Sequence, residues 1–107
     1  MSTIKIRTKE QDDKTLVRLM IEHPMETGRR RDEGTGKIVP AHFITDLRVE
    51  LNGQPVVKGL LSTSVSRNPY FSFRLNAAKT GDRLKVIWVD NLGKRDSAEL
   101  VIGSKVE

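Results

Sequence analysis

Cysteine is absent from this chain, which excludes disulfide stapling, thiol catalysis and thiolate metal ligation among its residues. Aromatic residues are scarce at three Phe, one Tyr and one Trp, and they do not interleave with the basic residues as a base-stacking surface requires. No apolar run approaches the roughly 18 residues of a membrane-spanning helix. The opening MSTIKIRTKEQDDK also lacks the apolar stretch of a secretory signal. A membrane partner and self-directed export are therefore not expected. A sustained helical period is missing as well.

What is present is a 107-residue chain with 31% charged and 36% hydrophobic residues, the composition of one globular domain spanning residues 1–107. The net charge of +5 permits a nucleic acid, a lipid headgroup or an acidic protein as partner but says nothing of fold. Apolar residues recur in steps of two: Ile4 and Ile6, then Val17, Leu19 and Ile21. In FITDLRVEL the same alternation sets Phe43, Thr45, Leu47, Val49 and Leu51 against Asp46, Arg48 and Glu50. Such alternation predicts half-buried strands. Asn52-Gly53 follows with the signature of a two-residue hairpin, since both positions of a type I′ turn need positive φ. Pro55 and Gly59 mark the returning strand as an edge or a bulged one. YFSFRL, with Phe71, Phe73 and Leu75 inward, then RLKVIWVD and SAELVIG, separated by KTGD and DNLGK turns, complete about seven strands. This is the pattern of an all-β, two-sheet antiparallel sandwich. Trp88 is expected in the core rather than at a binding surface.

The longest connection, from about Glu22 to Ala41, contains HPMETGRRRDEGTGKIVP. Connections of this length tend to be functional or disordered. Its GTGK is not a phosphate loop, because Arg31 stands where a Walker sequence has glycine and Ile38 where it has Ser or Thr. His23, Met25 and His42 offer metal-ligand atoms, but the two histidines match no compact ligand spacing, so no metal is expected. A hydrolytic triad drawn from Ser62, Ser64 or Ser66 has no nucleophile elbow to support it. The carboxylate pairs Asp12-Asp13 and Asp32-Glu33 sit in polar turns where nothing raises a pKa. The arginine run ends at once in Asp32-Glu33, so nucleic acid is not expected as a partner. No catalytic residue and no cofactor is assigned. The glycines at 28, 34 and 36 and the prolines at 24 and 40 also admit a purely geometric role.

HPMETG, with Arg30, Asp32, Gly36 and the IVP ending at Pro40, resembles the hallmark loop of the SoxZ family of sulfur-oxidation proteins. NPYFSF at 68–73 and WVDNLG at 88–93 resemble two later landmarks of that family. The resemblance implies an immunoglobulin-like sandwich and a non-catalytic subunit that forms a heterodimer with SoxY, whose cysteine-bearing C-terminal arm carries the sulfur intermediates of thiosulfate oxidation. It also implies transient docking with other Sox enzymes, and a periplasmic location reached as the passenger of a signal-bearing partner. A homodimer is expected of the isolated chain. Partner binding is assigned to His23, Met25, Glu26, Arg30, Asp32, Asn68 and Tyr70, with Arg30 the candidate for a bidentate bond to a carboxylate and Asp32 its orienter or a turn cap. Two other readings stay open, a generic basic sandwich that binds protein or nucleic acid and a metal-handling module.

Overall fold

A computed structural model of the chain describes residues 3–11, 14–60, 67–76 and 78–103. The strands are β1 (Ile4–Gln11), β2 (Lys14–Ile21), β3 (Ile44–Leu51), β4 (Gln54–Leu60), β5 (Tyr70–Leu75), β6 (Arg83–Asp90) and β7 (Arg95–Val101). They form a three-stranded sheet in the order β1-β2-β5 and a four-stranded sheet in the order β4-β3-β6-β7. Every pairing is antiparallel. The chain is thus all-β, with the two sheets packed as a sandwich. Ser62, Ser64, Ser66 and the pair Asp12-Asp13 lie outside the described residues.

Alternation builds the core. Val17, Leu19 and Ile21 of β2 face Leu47 and Val49 of β3 and Leu84, Val86 and Trp88 of β6, all buried, and such burial is the main stabilising term. Trp88 is 5% exposed, as its expected core role requires. Its indole N–H donates to Thr3 Oγ1 at 3.0 Å. The Thr3 hydroxyl in turn donates to Asp96 at 2.7 Å, which ties the head of β1 to β7 and so closes one flank of the sandwich.

The hairpin after β3 turns at Asn52 and Gly53, whose φ values are +52° and +81°. β4 is an edge strand as anticipated, and its register against β3 shifts so that Val49 faces Val57 while Glu50 faces Pro55. Expectation and structure part at the start of β3. A second irregularity, opposite β6 between Ile44 and Asp46, inverts the alternation there. Ile44 is therefore fully buried, whereas Phe43 and Thr45 are only half-buried.

Candidate functional site

The connection between β2 and β3 is a two-legged finger rather than an open loop. Its legs are bridged at Glu26 and His42, whose amides and carbonyls exchange bonds of 2.7 and 3.0 Å. A second rung joins Arg31 to Ile38. Gly28 has φ +84°, and a Cβ there would lie 3.2 Å from the Ala41 Cβ, so glycine is needed for both conformation and space. Near the tip, Asp32 Oδ1 accepts from the Gly34 N–H at 3.0 Å, and Gly36, at φ +70°, donates to the Asp32 carbonyl. Gly34 itself has no left-handed backbone. Arg29, Arg30, Arg31 and Lys37 are exposed along this finger.

Beneath the finger lies a buried polar cluster. Asp90, the last residue of β6, accepts at Oδ2 from His23 Nε2 at 3.0 Å and from His42 Nε2 at 2.8 Å. Its Oδ1 accepts from the backbone N–H groups of Leu92 and Lys94 at 3.0 and 2.9 Å. Burial alone would push the Asp90 carboxyl up; the bonds from His23, His42 and the two amides outweigh it and hold the group below its usual value. Burial likewise pushes the His23 imidazole down, only partly countered by its bond to Asp90, with His42 adding to the fall. His23 packs edge-on against Trp88, with ring centroids 5.1 Å apart.

The backbone fixes the state of His23. The Met25 N–H donates to His23 Nδ1 at 3.1 Å, so Nδ1 carries a lone pair and Nε2 carries the proton given to Asp90. Met25 holds this arrangement at φ +49°, a left-handed conformation uncommon for such a residue. Its buried Sδ accepts from the Ile44 N–H at 3.3 Å.

His23, His42 and Asp90 place ligand-type atoms within 4.8 Å of one another, so the two histidines, whose sequence spacing matches no compact ligand motif, nevertheless converge on one carboxylate that β6 supplies. With Nδ1 of His23 engaged by the Met25 N–H, a cation here would need the His23 Nε2 lone pair. Moving the His23 proton to Nδ1 would then set two donors against each other at the Met25 amide. The donor set fits a hydrogen-bonded support better than a metal centre.

The residues assigned to partner binding divide by depth. His23 and Met25 are buried at the base of the finger, while Glu26 is half-buried and Arg30, Asp32, Asn68 and Tyr70 are exposed. Glu26, not Asp32, orients Arg30, whose Nε lies 3.0 Å from both carboxylate oxygens. Asp32 caps the turn. Asn68 clamps the His23 backbone, accepting its N–H at Oδ1 and donating to its carbonyl at 3.0 and 2.9 Å. Sequence reasoning weighed His42 only as a metal ligand and left it out of the partner-binding set, and it missed Asp90 and Asn91 altogether. Asn91 accepts from the Phe43 N–H and donates to the Ala41 carbonyl, both at 2.8 Å, stitching the return leg to the β6–β7 turn. HPMETG, NPYFSF and WVDNLG thus meet in space. The turn signal at 90–93 was legible, but its hydrogen-bond partners lie far away in sequence.

The chain is an immunoglobulin-like sandwich that carries an arginine-bearing finger on buried supports. The family described as sulphur oxidation protein SoxZ matches residues 4–101. The chain belongs to that family, and its role lies in sulfur oxidation. Comparison with curated proteins gives no match.

Proposed function

We propose that the chain is the non-catalytic subunit of a sulfur-carrier complex, paired with a SoxY-type protein whose cysteine arm bears the intermediates of thiosulfate oxidation. These 107 residues contain no thiol, and on this reading the cysteine that bears the sulfur adduct is the partner's. A partner without thiols can hold a reactive carrier thiol without forming disulfides with it. The reading locates the pair in the periplasm, exported on the carrier's signal, and has other Sox enzymes dock on it transiently.

The observation that carries the reading is the finger itself: exposed arginines mounted on the buried Asp90 cluster, a preorganised surface rather than a reactive one. Arg30 is oriented by Glu26 yet keeps a side chain 60% exposed, available to a partner carboxylate. Co-purification with a co-expressed SoxY-type carrier tests this. Arg30→Glu is expected to keep the wild-type circular dichroism spectrum and to weaken carrier binding or enzyme docking. After thiosulfate and the upstream enzyme are added, mass spectrometry should find added mass on the carrier alone. Unchanged binding and pathway flux in Arg30→Glu would reduce the finger to scaffolding, and an adduct on this chain or turnover without a partner would overturn the division of labour.

A further inference from the structure

The two outer faces of the sandwich differ in charge. On the four-stranded sheet acidic side chains stand among the cations, pairing Arg48 with Glu50 at 3.8 Å and Lys85 with Glu99 at 3.9 Å, while Arg83 and Arg95 are exposed without an ion pair among the described residues. On the three-stranded sheet the register sets three rows across the outer face: Lys5, Met20 and Tyr70; Arg7, Arg18 and Ser72; Lys9, Leu16 and Arg74. Lys5, Arg7, Lys9, Arg18 and Arg74 are all exposed. No acidic side chain stands in these three rows, the nearest along β2 being Glu22 just past its end, and none of these cations has an ion-pair partner among the described residues. Arg7 lies directly opposite Arg18, a cross-strand like-charge pair that destabilises a sheet. Beside it Met20 and Tyr70, 45% and 55% exposed, join Lys5, Arg7 and Arg18 around a hollow of about 320 Å³.

We infer that the outer face of the β1-β2-β5 sheet is a docking surface for an acidic protein, with an aliphatic side chain seated between Met20 and Tyr70 and carboxylates bridging Arg7 and Arg18. A carboxylate shared by two guanidinium groups turns their repulsion into charge-assisted bonds. Arginine, methionine and tyrosine are the residue types enriched at the centre of protein interfaces. Nucleic acid is disfavoured because Tyr70 is the single aromatic of the face and offers no run of stacking positions. This surface is separate from the finger, and the inference stands whether or not the finger binds the carrier.

The test uses the full chain and a fluorescein-labelled peptide of Asp and Glu around one Leu, titrated by fluorescence anisotropy at low salt. A single-stranded oligonucleotide and vesicles containing phosphatidylserine are the comparison arms. The peptide is expected to bind in a salt-sensitive way, and the double change Arg7→Ser/Arg18→Ser to weaken it by roughly tenfold. Tyr70→Ala should weaken it as well. Arg83→Ser/Arg95→Ser removes equal charge from strands of the other sheet and should leave the affinity unchanged. The first double variant should also melt higher than the wild type, because relief of repulsion raises stability while loss of contact lowers affinity. Failure of the peptide to bind would overturn the inference. So would equal weakening by Arg83→Ser/Arg95→Ser, or tighter binding of the oligonucleotide or vesicles with the same loss in Arg7→Ser/Arg18→Ser.

Discussion

Asp90 is satisfied by four donors, from His23, His42 and the amides of Leu92 and Lys94. Asn at this position would turn an NH2 group toward an N–H that now donates, so Asp90→Asn is expected to cost about 2 to 4 kcal/mol in chemical denaturation. A change under half that size would show that the cluster contributes little to the fold. The cluster also sets a pH dependence with a definite sign. His23 is held below its ordinary value of 6.5; its contribution is therefore complete above 6.5 and is lost as pH falls from there toward the folded value. Asp90 is held below 3.8, so its contribution persists above 3.8 and is lost only as pH falls further. Melting temperature should hold at neutral pH, decline as pH falls below 6.5 and decline again below 3.8. In His23→Gln the first decline should shrink, and an equal decline in that variant would assign it to another group.

At the scale of elements, the finger is shaped by backbone chemistry that few residue types permit. Gly28→Ala would impose a left-handed conformation on alanine and press its methyl against Ala41, for an expected loss of about 1 to 2 kcal/mol. Gly34→Ala, at a position without positive φ and with its nearest neighbour 3.6 Å away, is expected to be nearly neutral. If the two variants melted together, the finger would have no fixed path. β3 shows the opposite relation between pattern and element, because the irregularity after Ile44 overrides a clean alternation and brings that residue, rather than Phe43, into the core.

Across the whole molecule, the net charge of +5 is expressed mainly on the outer face of the β1-β2-β5 sheet, because the cations of the finger are nearly balanced by Glu26, Asp32 and Glu33. Copies of the isolated chain should repel at low salt and associate more readily as salt screens that repulsion. Sedimentation velocity at high protein concentration is expected to show a larger weight-average mass in high salt. Strictly monomeric behaviour under both conditions would count against self-association of the unpartnered chain.

The sequence by itself determined the strands, the hairpin at Asn52-Gly53, the burial of Trp88 and the special character of residues 22–41. These follow from a period of two, from φ requirements at a few turn positions and from aromatic burial, all of which act over short stretches of chain. The family motifs were legible too, but not the reason for them. Only the tertiary structure decided that His23, His42 and Asp90 share one carboxylate, that Asn68 and Asn91 fasten the two legs of the finger, and that Arg7 stands opposite Arg18. Those meetings depend on strand order, register and bulges, which arise from the packing of all the strands at once and leave no mark in the identity or spacing of any one residue.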